Sequence, residues 1–141
     1  MDNKDSEFFK ELVSMFKMEA KEHLDTISSG LPQLEKTPHG KERTEILETI
    51  FRAAHSLKGA ARTVGLVDIE PIGQSLEKLF STIKQKDANI SSALSDTLYQ
   101  MINILGELIS TMDEQGKLTG DKSSLTRLID EVNENIVIME A

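Results

Sequence analysis

The sequence predicts an all-α protein, an antiparallel four-helix bundle with an additional C-terminal helix, forming one domain over residues 1–141. Three observations carry that expectation. Apolar residues recur at three- and four-residue steps through five segments, the spacing of helices that each bury one face. No segment alternates apolar and polar residues as a half-buried strand does. The apolar residues are also mostly aliphatic. Hydrophobic residues make up 38% of the chain and aromatics 4%, with no Trp and one Tyr. Leu, Ile, Met, Val, Ala and a few Phe must therefore build the core, and such side chains suit helix-on-helix packing.

The first helix is expected over about residues 5–36, with a stripe that includes Phe9, Leu12, Phe16, Ala20, Leu24 and Ile27. Ser28-Ser29-Gly30 and Pro32 weaken its latter part, so a kink or break is expected there. Glu19 and His23 are four residues apart on this helix. Two such ligands without a third do not make a metal site, and they read as a solvated face. Thr37-Pro38-His39-Gly40 is a loop in which His39 reads as idle.

The second helix is expected over about 41–64, with Ile50, Ala53, Leu57 and Ala61 in its stripe and Gly65 ending it in the left-handed conformation. The third, about 69–86, starts from Asp68 as N-cap with Glu70 and Pro71 in its first turn. Ile72, Leu76, Leu79, Phe80 and Ile83 form its buried stripe, Glu77 lies at the edge of it, and Gly73 allows close packing on a neighbour. The short connection makes helices two and three antiparallel neighbours, which lets Glu77 face the second helix. A fourth helix follows over about 91–113, capped by Ser91 or Ser92, and the extra helix spans about 122–139. Between them, Gly116 and Gly120 stand before Asp121-Lys122-Ser123 without the spacing or the preceding strand of a P-loop.

Lys plus Arg number 16 against 24 Asp plus Glu, a formal net charge of −8. An acidic chain is repelled by nucleic acid and by anionic membranes. The absence of cysteine excludes disulfides and thiolate chemistry and fits a reducing compartment. The charged start MDNKDSEFFKELV is not a signal peptide, and no apolar run approaches the roughly 20 residues that span a bilayer. A cytoplasmic location and a monomeric domain are the corresponding expectations.

The stretch Phe51 to Leu66, FRAAHSLKGAARTVGL, stands apart. His55 falls roughly 160° around the helix from the middle of its apolar stripe, and Phe51, Lys58, Gly59 and Arg62 share its side. Glycine inside a helix costs about 1 kcal/mol relative to Ala. The usual reason to accept it is close approach to the backbone, here one turn from an imidazole. A neutral imidazole is a nucleophile through its unprotonated nitrogen, and a carboxylate on Nδ1–H leaves the Nε2 lone pair pointing outward. Glu77 is the candidate carboxylate.

HSLKGAARTVGL closely resembles the signature of histidine phosphotransfer (HPt) domains, in particular the N-terminal phosphotransfer domain of CheA-type chemotaxis histidine kinases. EAKEHLDTISSGLPQLEK upstream and IEPIGQSLEKLF downstream resemble that family's first and third helices, so roughly residues 7–110 are covered. The resemblance implies that His55 is phosphorylated at Nε2 and that Glu77 pairs with it. It also implies that Lys58 offsets the phosphoryl charge and that Gly59 leaves room for a partner protein. Phe51, Arg62 and Gln74 are the candidate docking positions: Arg62 is expected to add positive field, and Phe51, on the exposed face, is expected either to pack on a neighbouring helix edge or to offer an apolar docking contact. Some CheA domains carry a second histidine three residues before the glutamate; Gln74 stands there in this chain, so Glu77 should carry more of the tuning.

No nucleotide-binding loop is present in the sequence. ATP and Mg²⁺ are therefore expected at a kinase catalytic domain, on the same or another chain, and a response-regulator receiver aspartate is the expected acceptor. Such a chain is a phosphoryl carrier within a histidine kinase rather than an enzyme by itself. A free-standing phosphorelay HPt protein and a non-catalytic helical adaptor are the alternatives. A metal-binding bundle would need Glu-x-x-His pairs on facing helices, which three histidines with one in a loop do not supply.

Overall fold

The computed structural model describes residues 3–141; residues 1 and 2 of the expected domain lie outside them. Five helices account for the described chain: α1 Asn3–Lys36, α2 Lys41–Val64, α3 Glu70–Lys86, α4 Ser92–Ser110 and α5 Ser123–Glu140. No strand occurs among the described residues. The all-α bundle expected from the apolar periodicity is the fold observed.

The helices pack in a closed ring in the order α1, α2, α3, α5, α4 and back to α1. The additional C-terminal helix is thus built into the bundle wall. It lies against both α3 and α4, which make no close backbone approach to each other, and it buries Leu125, Leu128, Val132 and Ile136. One core runs the length of the ring, with Phe16, Ile27, Leu57, Leu76 and Phe80 among its fully enclosed side chains.

Of the kink or break expected around Ser28–Pro32, a break does not occur: α1 is one continuous helix through Pro32. An interior proline costs about 3 kcal/mol. Ile27, Leu31 and Leu34 on either side of it are buried, and each such side chain contributes about 1.5–3 kcal/mol. Packing therefore outweighs local propensity. Ser91 is the cap of α4, its side chain accepting a hydrogen bond from the Leu94 amide.

His39 is not idle. Antiparallel order brings the α1–α2 and α3–α4 loops to the same end of the bundle, and the His39 ring sits between them. Its Nδ1 lies 2.8 Å from Asp87 Oδ1 and its Nε2 lies 2.6 Å from Asn89 Oδ1. Arg43, only 4% exposed, joins the same cluster. Its Nη1 donates to Asp87 Oδ1 at 3.1 Å and its Nη2 to the Ala88 carbonyl at 2.6 Å. Asp87 takes the left-handed conformation, φ 47°, as the C-cap of α3. With acceptors at both ring nitrogens, the doubly protonated imidazolium satisfies both. The Asn89 contact and then the Asp87 contact raise the pKa of His39 above its ordinary 6.5.

A group whose pKa is raised on folding stabilises the fold fully below its unfolded value, and loses that contribution as pH rises through the folded one. A proton NMR titration of the His39 ring is expected to give a midpoint above 6.5, lowered by Asp87→Asn. A midpoint at or below 6.5 would contradict the clamp.

Candidate functional site

The α2–α3 connection sets the geometry of the site. Gly65 caps α2 with φ 80°, a conformation that glycine adopts without steric cost. The Leu66 amide returns to the Ala61 carbonyl, and the Leu66 carbonyl accepts from the Ile69 and Glu70 amides. Backbone bonds therefore close the start of α3. Asp68 is not its N-cap: Ile69 occupies that position with helical dihedrals and no side-chain cap, and the Asp68 carboxylate lies 3.6 Å from Lys122 Nζ.

After this tight reversal α3 runs antiparallel to α2 and very close to it. An added Cβ on Gly73 would lie 2.9 Å from Lys58 Cα. One turn further along α3, Glu77 reaches α2. His55 Nδ1 lies 3.3 Å from Glu77 Oε2, and Lys58 Nζ lies 2.7 Å from the same oxygen. The Glu77 and Lys58 side chains are 20% and 19% exposed, while His55 is 62% exposed. The shared oxygen is buried, and although both groups stand at ion-pair distance, neither meets it in hydrogen-bond alignment. Distance and charge, rather than directional bonding, define this contact.

Partial burial raises the Glu77 pKa, but Lys58 and then His55 more than offset it, so the carboxyl is held below its ordinary 4.5. It is a carboxylate at neutral pH, facing Nδ1 and leaving Nε2 on the open side of an exposed ring. His55 sits at the α2–α3 edge, because Leu47 and Ala54 join the buried face of α2 and widen it.

The Phe51 ring stacks on His55, with centroids 6.3 Å apart and planes at 20°, and Phe51 also packs partly into the core. A Cβ on Gly59 would meet nothing within 4 Å. The fold places no demand on that glycine, and the space beside His55 is open. Arg62 is held away from the imidazole by Glu70, with Nε 2.7 Å from Oε1. Gln74 is exposed on α3 and no side-chain hydrogen bond to it occurs among the described residues. The His55, Glu77, Lys58 and Phe51 side chains thus come together with Gly59 at their margin, while Arg62 and Gln74 stand apart.

Elsewhere, Glu19 and His23 pair at 3.2 Å on α1, and no third metal-ligating side chain joins them among the described residues. Gly116 takes a left-handed φ of 78°, and added Cβ atoms on Gly116 and Gly120 would lie 2.5 Å and 2.7 Å from the Leu66 and Leu108 side chains, so turn conformation and packing account for those glycines. The Lys58–Glu77 pair was not anticipated from the sequence. Its signal was the complementary spacing: Lys58 at i+3 from His55, and Glu77 at i+4 from Gly73 on an antiparallel partner.

A family model described as Hpt domain matches residues 11–134. Chemotaxis protein CheA of Bacillus subtilis (strain 168) is 30% identical over 118 residues, covering 84% of this chain and 17% of that protein. Chemotaxis protein CheA of Halobacterium salinarum is 30% identical over 122 residues, covering 84% of this chain and 18% of that protein. Sensor histidine kinase CheAY of Helicobacter pylori is 24% identical over 112 residues, covering 79% and 14%. The chain therefore spans less than a fifth of the length of these relatives. No solved structure matches it.

Glu77→Gln is expected to lower stability at neutral pH by about 1–2 kcal/mol, between the values of exposed and buried pairs. A carboxylate with a depressed folded pKa stabilises above its unfolded value near 4.5 and loses that contribution as pH falls through the folded one. Urea denaturation of both proteins should show the difference shrinking below that pH. A difference that is absent at pH 7, or that grows on acidification, would contradict the assignment.

Proposed function

This chain belongs to the Hpt domain family, and on that premise we propose that it carries a phosphoryl group on His55 in a CheA-like signalling pathway. The observation that carries the reading is the division of one ring between two environments. Nδ1 faces a carboxylate oxygen at 3.3 Å, while the imidazole as a whole is 62% exposed. An Nδ1–H held by Glu77 leaves the Nε2 lone pair as the nucleophile, turned toward the open side beside Gly59.

In the accepting step the Nε2 lone pair attacks the γ-phosphorus of ATP. The Nε2–P bond forms, the bond from γ-phosphorus to the β,γ-bridging oxygen breaks, and ADP leaves with that electron pair. The ring keeps its Nδ1 proton and gains positive charge, which the Glu77 carboxylate offsets. In the donating step a receiver aspartate oxygen attacks phosphorus. The Nε2–P bond breaks, its electron pair returns to nitrogen, and the ring is again neutral. Lys58, drawn to Glu77 in the resting site, offsets the negative charge of the phosphoryl group, and Phe51 limits the tilt of the ring by stacking on it.

Phosphoryl transfer from ATP depends on positioning and on Mg²⁺. In this reading a kinase catalytic domain, on the same or another chain, holds both, and the bundle binds no cofactor itself. The partners are that domain and a response-regulator receiver. Similarity to CheA chemotaxis proteins over most of this chain supports the circuit. No described helix is long and apolar enough to cross a membrane, and action in the cytoplasm as a monomeric domain belongs to the same proposal.

The test is incubation of wild type and His55→Gln with CheA-type kinase cores and radiolabelled ATP. Acid-labile, base-stable label on wild type and background label on His55→Gln are expected. Equal label on both, or none on wild type across several kinase cores, would overturn the reading.

A further inference from the structure

The closest approach of α3 to α2 beside the site is at a residue with no side chain. An added Cβ on Gly73 would stand 2.9 Å from Lys58 Cα, 3.0 Å from its Cβ and 3.1 Å from its amide nitrogen. Two of those atoms are backbone in the middle of a helix, and a change of side-chain rotamer relieves none of the three contacts. Gly73 itself is buried and lies in the first half of α3, with no positive φ to require glycine. Separation between helices, rather than backbone conformation, is what this position serves. Gly59 on the facing helix is the contrast: a Cβ there meets nothing.

Register makes the consequence specific. Glu77 follows Gly73 by one turn of α3, about 6 Å along the axis. His55 precedes Lys58 by just under one turn of α2. Because the helices are antiparallel, seating Gly73 on the Lys58 backbone brings Glu77 opposite His55 and Lys58, where its Oε2 lies 3.3 Å and 2.7 Å from their nitrogens. At 3.3 Å the His55 contact already lies at the outer edge of hydrogen-bond range, so it tolerates little added separation. We propose that Gly73 is a positioning residue for the phosphoryl-accepting imidazole: it sets the α2–α3 distance at which Glu77 governs the tautomer of His55. The inference rests on the phosphocarrier reading for its consequence in transfer, but not for its geometric content.

The experiment compares the full chain as wild type, Gly73→Ala, Glu77→Gln and the double variant. The first readout is ¹⁵N NMR of the His55 ring above its titration, which reports which nitrogen carries the proton. The second is the rate of label acceptance from the kinase core. Alanine's better helix propensity offsets part of the contact strain, so Gly73→Ala is expected to keep its helical circular dichroism. Its Nδ1–H preference should fall toward that of Glu77→Gln, and its acceptance rate should drop several-fold. The double variant should match Glu77→Gln alone, because both act through one contact. A folded Gly73→Ala with the wild-type tautomer overturns the proposal, as do losses that multiply in the double variant. A Gly73→Ala chain without helical dichroism also overturns it, since Gly73 would then be a folding residue. If wild type accepts no label while the tautomer shifts as expected, the phosphocarrier reading fails and the positioning role stands.

Discussion

One buried carboxylate oxygen holds two nitrogens from the neighbouring helix, and the arrangement of the site depends on it. Glu77 Oε2 faces His55 Nδ1 and Lys58 Nζ together. Partial burial strengthens its attraction for both beyond what an exposed pair has, and that attraction exceeds the cost of burial, since the carboxyl is held below its ordinary 4.5. The same oxygen fixes which face of the imidazole looks inward. An exposed histidine rotating freely would offer either nitrogen to a partner; this one is held by one nitrogen and open at the other.

The bundle supports this contact from a distance. The Gly65 cap and the backbone bonds of Leu66 reverse the chain within a few residues, so α3 returns directly along α2. Leu57, Leu76 and Phe80, all fully enclosed, hold the two helices on the core. α5 braces the far side of α3 against α4. At the opposite end, the cluster of His39, Arg43, Asp87 and Asn89 ties the two loops together. The proposed transfer then needs little motion within the domain. The His55 ring is already on the surface, and the open space beside Gly59 is part of the resting structure.

The apolar spacing made the helices and the fold class legible, because helical period and burial are the same physical fact. The exposed side of α2 was legible too, since His55, Lys58 and Gly59 could not share the Ile50–Leu57 face. Other features were not. The continuity of α1 through Pro32 is decided by the packing of Ile27, Leu31 and Leu34, which local propensity does not contain. Asp68 carries a good capping side chain, yet the Leu66 carbonyl closes the helix instead. His39 looked idle because its partners lie 48 and 50 residues away. Lys58 looked free for the same reason: the carboxylate that holds it arrives on the next helix.

The central claim is that Glu77 holds Nδ1 and so commits Nε2 to the phosphoryl group. The most direct test is a ³¹P and ¹⁵N NMR spectrum of the phosphorylated, ¹⁵N-histidine-labelled protein, which locates the P–N bond. The account predicts phosphorus coupled to Nε2 of His55, with Nδ1 still protonated. Phosphorus coupled to Nδ1 of His55, or to His23 or His39, would contradict it.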